Sequence, residues 1–175
     1  MLIKLYNILY INFLELFYSK RFKLNGKIKS KGFLNIELSR NSLLVISGDL
    51  TLQKDVLIAV RKNAKLNIGN NCFFNRNCSI VCREEINIQN DCLFGENIKI
   101  YDNNHKIISG IVSKDLYDTK SITIEKNSWI ANDSNILMGS YIKEKSVIAA
   151  MSLVNKPLEY SGIYIGIPVK LNKKH

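Results

Sequence analysis

The chain has 175 residues and a mass of 20.0 kDa, enough for one domain with a sizeable core. Its mean hydropathy is close to zero although nearly half of the residues are hydrophobic, which is typical of a soluble globular protein. A formal net charge of +10 favours anionic partners such as phosphorylated cofactors, nucleic acid or an acidic membrane surface. Because no DNA- or RNA-binding motif accompanies the charge, we expect no nucleic-acid partner and interpret most of the lysines as solvated.

Residues 1–23 are apolar and aromatic, and they predict an amphipathic N-terminal helix. Its polar residues recur at helical spacing; they are Lys4, Asn7, Asn12, Glu15 and Ser19. Charges interrupt a stretch that is barely long enough to span a bilayer, and no small-residue cleavage site follows, so neither a membrane span nor a signal peptide fits. We expect the helix to cover an open end of the β-structure that follows. The alternative is peripheral membrane contact, with Lys20, Arg21 and Lys23 near lipid headgroups.

Residues 24–68 alternate apolar and polar side chains, and turn-forming residues separate the alternating segments. This pattern predicts short strands arranged in irregular early coils. A tighter period then appears, because Ile68, Phe74 and Ile80 are six residues apart, and the period resumes after a two-residue slip at 83–85.

The period of six is most regular at residues 124–155. Every sixth residue there is a β-branched aliphatic: Ile124, Ile130, Ile136, Ile142, Ile148 and Val154. A serine follows each of the first five by four places: Ser128, Ser134, Ser140, Ser146 and Ser152. A period of six defines no face of an α-helix, whereas a repeated short strand and tight corner explain it, with the aliphatic side chain inside and the serine at the corner. The pattern predicts an all-β fold, a left-handed parallel β-helix over residues 24–170, with a basic C-terminal tail at 171–175.

The four cysteines lie in the earlier part of the repeat. Cys72, Cys78 and Cys92 take the corner position, where a small residue is needed, and Cys82 follows the second of them. The chain has no CxxC pair and too few histidines for a zinc site, so we expect no metal. We interpret the cysteines as small buried thiols in a reducing, cytoplasmic compartment.

A polar excursion of about twenty residues interrupts the repeat at 101–121. An interruption of this length in a regular coil is usually functional. It contains His105, whose imidazole can accept a proton from an attacking hydroxyl or amine near neutral pH. The alternative is a surface histidine without a function. Asp102, three residues earlier, is a candidate for orienting the imidazole at the substrate site, or else a turn former.

These segments resemble the hexapeptide-repeat acyltransferases that use coenzyme A thioesters, especially the galactoside/maltose O-acetyltransferase branch and its polysaccharide-biosynthesis relatives. The resemblance covers residues 73–173 and is carried by Phe-Asn-Arg-Asn at 74–77, the His105 loop, Trp129 with Ile130, Ser-Val-Ile-Ala-Ala at 146–150 and Gly-Ile-Pro-Val-Lys at 166–170. It implies that His105 is the general base, that Asn75 contacts the acceptor and that Trp129 lines the catalytic pocket. The family's N-terminal acceptor-binding region is replaced here by the apolar helix, which leaves the acceptor open.

The resemblance also implies acetyl-CoA as the cosubstrate. The positions that match its binding site are Asn132, Ala150, Asn155, Lys156, Lys170 and Lys173. Small side chains at Ala131, Ala149 and Ala150 would let the extended pantetheine arm approach the backbone, and the three lysines suit the cofactor's phosphates. The alternative is that the alanines only pack the corners and that the lysines are solvated.

We therefore expect an acyl-CoA-dependent O-acetyltransferase that acts on a sugar hydroxyl in surface-polysaccharide or glycolipid biosynthesis. Because no serine or cysteine nucleophile accompanies His105, transfer without a covalent enzyme intermediate is favoured. We also expect a homotrimer in which His105 and Trp129 face each other across an interface. The alternatives are an N-acetyltransferase for a nucleotide-linked amino sugar and a β-helix scaffold without activity.

Overall fold

The computed structural model describes residues 2–175, which form one helix, α1 (Leu2–Phe17), and a stack of parallel β-coils. Three sheets are the walls of a prism, and each of about six coils gives one strand to each wall. All of their strand pairs are parallel except the last pair of the second sheet. Coils of this kind bury one ladder of side chains and leave the other outside, as the repeat predicts. The predicted parallel β-helix architecture is confirmed.

The strands are numbered in chain order. The first sheet contains β1 (Phe22–Leu24), β4 (Leu43–Ile46), β7 (Lys65–Ile68), β10 (Glu85–Ile88), β15 (Ile122–Ile124) and β18 (Tyr141–Ile142). The second contains β2 (Ile28–Ser30), β5 (Leu50–Leu52), β8 (Cys72–Phe74), β11 (Leu93–Phe94), β16 (Trp129–Ile130), β19 (Val147–Ile148), β21 (Gly162–Ile165) and β22 (Lys170–Lys174). The third contains β3 (Asn35–Leu38), β6 (Leu57–Val60), β9 (Ser79–Cys82), β12 (Lys99–Tyr101), β17 (Asn135–Leu137) and β20 (Leu153–Val154).

The early coils are as regular as the late ones, which corrects the expectation of irregular coils before residue 68. Leu44 pairs with Leu66 in continuous register, so one coil there takes 22 residues. Ile124 pairs with Ile142, so a late coil takes 18. The longer early coils hide the period of six because their corners hold extra residues, while the strands still stack on one another.

The interior of the prism is filled by the side chains that the repeat assigns to it. All six aliphatic residues at the sixfold positions from Ile124 to Val154 are fully buried, and the five corner serines are almost fully buried. The Phe74 and Phe94 rings stack across two successive coils with centroids 4.2 Å apart and nearly parallel planes. Each buried isoleucine contributes roughly 1.5–3 kcal/mol relative to an exposed one, so this ladder stabilises the stack.

The corners turn through a residue in the left-handed region that precedes the small residue. Asn127 (φ 58°) precedes Ser128, and Asp133 (φ 61°) precedes Ser134. Asparagine and aspartate tolerate this conformation better than other non-glycine residues. The Ser128 hydroxyl then donates to the Glu125 carbonyl (2.7 Å), which satisfies a backbone group at the turn.

All four cysteines are free and buried, as predicted. Burial raises the pKa of the Cys78 thiol to about 11 and also raises the pKa of Cys82, so neither is a thiolate near neutral pH.

The polar excursion forms an antiparallel hairpin of β13 (Asn103–Ile108) and β14 (Ile111–Thr119) between the fourth and fifth coils. It leaves the prism at the edge between the third and first sheets, because β12 precedes it and β15 follows it. The first coil begins with β1 at Phe22. At the C-terminal end, β22 pairs antiparallel with β21.

Helix α1 covers the open end of the first coil, which confirms the expected cap. The Asn7 amide donates to the Gly32 carbonyl (2.9 Å) and accepts from the Leu34 N–H (3.0 Å). The Tyr10 hydroxyl donates to the Ile36 carbonyl (2.7 Å). These bonds satisfy backbone groups that an unpaired end coil would leave open. No helix within residues 2–175 is long and apolar enough to cross a membrane.

Candidate active site

His105 lies on β13, and its imidazole is held by the opposite strand of the hairpin. Nδ1 lies 2.8 Å from the Ser113 carbonyl oxygen. A carbonyl oxygen can only accept, so Nδ1 carries the proton and the neutral ring has its lone pair on Nε2. No group within residues 2–175 hydrogen-bonds Nε2, and the side chain is exposed. The ring is therefore oriented as a base whose accepting nitrogen faces outward.

Two further residues contact this site, and the sequence did not single them out. The Tyr117 ring packs on the His105 ring with centroids 4.6 Å apart, and the Arg83 guanidinium lies 3.4 Å from the Tyr117 ring centroid. In the part of the chain that the structure describes, Arg83 forms no ion pair, and its Nε is buried without a hydrogen-bond partner. This layer of side chains restrains His105 from one side.

Asp102 has a different role from the predicted one. It is fully buried, and its two carboxylate oxygens accept the backbone N–H groups of Arg83 and Glu84, each at 2.8 Å. With both oxygens bonded to the preceding coil, the carboxylate is not at the imidazole, which the Ser113 carbonyl orients instead. Asp102 therefore anchors the root of the hairpin. This corrects its assignment as a substrate residue that orients His105.

The small residues assigned to the cofactor form two adjacent columns on the edge between the second and third sheets. The first column contains one residue from each successive coil: Asn75, Gly95, Ala131 and Ala149. The backbone N–H of each of the first three donates to the carbonyl of the residue that directly precedes the next member of the column. Asn132 and Ala150 follow Ala131 and Ala149 around the same corner. The Asn132 side-chain oxygen accepts the Glu96 N–H at 2.9 Å, so this residue also fastens two coils. Gly95 is required beside it, because a Cβ there would collide with the Asn132 amide.

Lys156 and Lys170 line one open cavity of about 380 Å³ at the C-terminal end of the stack, together with Tyr160 and Tyr164. Lys173 is not among the lining residues. Lys174 instead lies over the Tyr160 ring, with its Nζ 3.3 Å from the centroid. Asn155 is exposed and directly precedes Lys156. The structure therefore groups two of the three predicted phosphate lysines.

Trp129 lies on the second sheet, two residues before Ala131, and about half of its side chain is exposed. Its outward position continues a ladder of apolar residues, in register from coil to coil: Phe73, Leu93, Trp129, Val147 and Ile163. His105 leaves the prism at another edge, between the third and first sheets. One chain thus carries two separated groups of candidate residues: Trp129 with the small-residue columns, and His105 with Tyr117 and Arg83.

Comparison with solved structures places this fold among known enzymes. No family profile matches the chain. No curated protein sequence matches it either. A hexapeptide-repeat-containing acetyltransferase from Vibrio cholerae O1 biovar eltor, complexed with acetyl coenzyme A, is 27% identical over 62% of this chain and 60% of its own, with a TM-score of 0.58. The chain therefore spans less than two thirds of that relative's length.

Two other structures extend over more of the chain. The N-acyltransferase AntD from Bacillus cereus, in complex with dTDP and 3-hydroxybutyryl-CoA, is 18% identical over 92% of this chain and 87% of its own, with a TM-score of 0.75. A maltose O-acetyltransferase from Clostridium difficile 630 is 21% identical over 91% of this chain and 73% of its own, with a TM-score of 0.62. The structural neighbours of the chain are thus hexapeptide-repeat acyltransferases, and it shares their β-solenoid fold.

Proposed function

We propose that the chain is an acyl-CoA-dependent acyltransferase that moves an acetyl group to a saccharide hydroxyl, with His105 as the general base. The observation that carries the proposal is the fixed tautomer of His105, because the Ser113 carbonyl leaves Nε2 free to accept a proton. The fold likeness to acetyl-CoA-bound and sugar-acetylating proteins supports the reaction class.

The proposed roles follow from the position of each group. Bound acetyl-CoA supplies a thioester carbonyl that the acceptor oxygen attacks. Nε2 of His105 takes the hydroxyl proton as that oxygen attacks, which avoids a free alkoxide in water. Tyr117 holds the imidazole in place by packing on its ring. Cys72, Cys78, Cys82 and Cys92 are all buried, so none is available as an exposed acyl-carrying nucleophile.

The cofactor is assigned to the small-residue edge and the lysine cavity. Ala131 and Ala149 are partly exposed and Ala150 is exposed, so only small side chains cover the backbone at this edge, which suits an extended pantetheine arm. Lys156 and Lys170 supply positive charge for phosphates at the end of this region. We propose glycolipid or surface-polysaccharide assembly as the pathway and the cytoplasm as the compartment. The free, buried thiols support the compartment.

An amine acceptor on a nucleotide-linked amino sugar is the second candidate. It is supported by the likeness to an N-acyltransferase bound to dTDP, whose fold matches over nearly all of the chain. The same free Nε2 could accept a proton from an amine as it attacks.

Acceptor screening tests the proposal. Thiol release from acetyl-CoA is measured with neutral sugars, acidic saccharides and nucleotide-linked amino sugars, and products are identified by mass spectrometry. We expect release with at least one saccharide, and cleavage of the product by mild hydroxylamine would identify an ester. A product that resists hydroxylamine would be an amide, and it would show that the acceptor is an amine. Absence of both acetyl-CoA binding and thiol release would overturn the acyltransferase assignment.

Replacing Lys156 with alanine is expected to raise the KM for acetyl-CoA about tenfold while leaving the KM for the acceptor unchanged, because one charge-assisted phosphate contact is lost. Lys62→Ala is the matched control, since Lys62 is an exposed lysine in an early coil. Initial rates at varied concentrations of each substrate separate the two effects. Equal changes in both constants would contradict the placement of the phosphates.

We further propose a homotrimer in which His105 of one chain faces Trp129 of its neighbour. The proposal is supported by the separation of the two residues within one chain, since Trp129 lies on the second sheet and the His105 hairpin leaves at the edge between the third and first sheets. It is also supported by the outward apolar ladder that contains Trp129. Sedimentation at micromolar concentration should give the mass of three chains. Co-expression of His105→Ala and Trp129→Ala chains should restore about a quarter of the activity, since a quarter of the composite sites would then be intact in a randomly mixed ring. A stable monomer, or no restoration, would contradict this.

A further inference from the structure

Helix α1 has a second apolar face that the cap does not use. Its buried residues, Asn7 and Leu14, point toward the first coil. The opposite face carries apolar residues at helical spacing: Leu2, Leu5, Leu9, Phe13 and Leu16. Their side chains are exposed, with Leu2 at 80%, Leu9 at 60% and Leu16 at 74%. We call these five residues the outer face. A helix that is apolar on both sides requires a second partner.

The surroundings of the outer face are strongly basic. The first 31 residues hold seven of the chain's 25 lysines and arginines and a single acid, Glu15. Lys4, Lys29 and Lys31 line a groove of about 430 Å³ beside the helix. Of these three, only Lys29 pairs with an acid within the described residues, Asp49 at 3.6 Å, and both partners are largely exposed.

We propose that the outer face binds the surface of a membrane that contains anionic lipid, with the leucines in the interface and the neighbouring lysines at the headgroups. An interfacial helix combines one apolar side with flanking cations in this way. A second copy of the chain fits this face less well. It would bring two basic N-terminal regions together, and each of them has only one acidic residue to offset its positive charge. The cap and the membrane contact are compatible, since they use opposite sides of the helix. The site goes beyond the proposed acyl transfer and does not depend on it.

Vesicle co-sedimentation of the full chain tests the proposal. The probes are phosphatidylcholine vesicles with and without phosphatidylglycerol, at increasing salt. We expect preferential binding to the anionic vesicles that weakens as salt rises. Leu5→Glu with Leu9→Glu should lower binding at least tenfold. Lys4→Gln with Lys31→Gln should weaken it by roughly fivefold per cation and flatten the salt dependence.

A matched control places the same charge on an exposed apolar residue elsewhere. Ile111→Glu changes a residue that is 73% exposed at the hairpin tip, and it should bind vesicles as the unaltered chain does. Thermal unfolding of the Leu5→Glu, Leu9→Glu chain should match that of the unaltered chain, because neither leucine packs on the first coil. The proposal would be overturned if the Leu5→Glu, Leu9→Glu chain bound vesicles as well as the unaltered chain does. It would also be overturned if the unaltered chain bound no vesicles and the variant sedimented as a smaller species than the unaltered chain, because the outer face would then be a contact between copies.

Discussion

His105→Ala should lower turnover by about two to four orders of magnitude, the range expected when a positioned general base is lost. The fold should be unaffected, because His105 is exposed on the hairpin and its ring bonds only the Ser113 carbonyl. The affinity for acetyl-CoA should also be retained, since His105 contacts Ser113 and Tyr117 and none of the proposed cofactor residues. Thiol-release kinetics and calorimetric titration with coenzyme A measure these two quantities.

A second substitution separates catalysis from hairpin structure. His105→Asn keeps a side-chain N–H that can reach the Ser113 carbonyl, but it has no counterpart of the basic Nε2. If His105 only holds the hairpin strands together, the asparagine variant should recover activity that the alanine variant loses. If His105 is the base, both variants should be equally impaired. Turnover within a few-fold of the unaltered chain for His105→Ala would remove the histidine from the mechanism.

The interior of the prism was predictable because its signal is local and periodic. Each coil repeats one environment, so the aliphatic residue and the corner serine recur at fixed spacing in residues 124–155. The same reasoning placed Cys72, Cys78 and Cys92 at buried corners. In the early part of the chain, extra residues at the corners lengthen the coil to 22 residues. Buried residues there no longer recur every six positions, although the strands still stack and Leu44 pairs with Leu66. Periodicity therefore identified the late coils and misread the early ones.

The candidate site was less predictable because its contacts join residues that are distant in sequence. Nothing in the local sequence indicates that Ser113 would orient His105, since the contact depends on how the two hairpin strands pair. Arg83 lies in the preceding coil and reaches Tyr117 only through the stacking of the solenoid. The helix showed the same limit, because a pattern of apolar residues could not indicate which side faces the first coil.

Asp102→Ala is expected to destabilise the fold by roughly 2–5 kcal/mol, because it removes a buried carboxylate that accepts from the partly buried backbone N–H groups of Arg83 and Glu84. Asp102→Asn should cost less, since its side-chain oxygen can still accept one of the two bonds while its amide opposes the other. Chemical denaturation measures both free energies of unfolding.

Turnover then distinguishes an anchor from a partner of the histidine. In Asp102→Asn, assayed where it is fully folded, the turnover number should stay within a few-fold of that of the unaltered chain, since the Ser113 carbonyl and not the carboxylate contacts His105. A large loss of turnover with stability unchanged would mean that Asp102 acts on the imidazole. Near-normal turnover with reduced stability is the result expected of a buried anchor at the root of the hairpin.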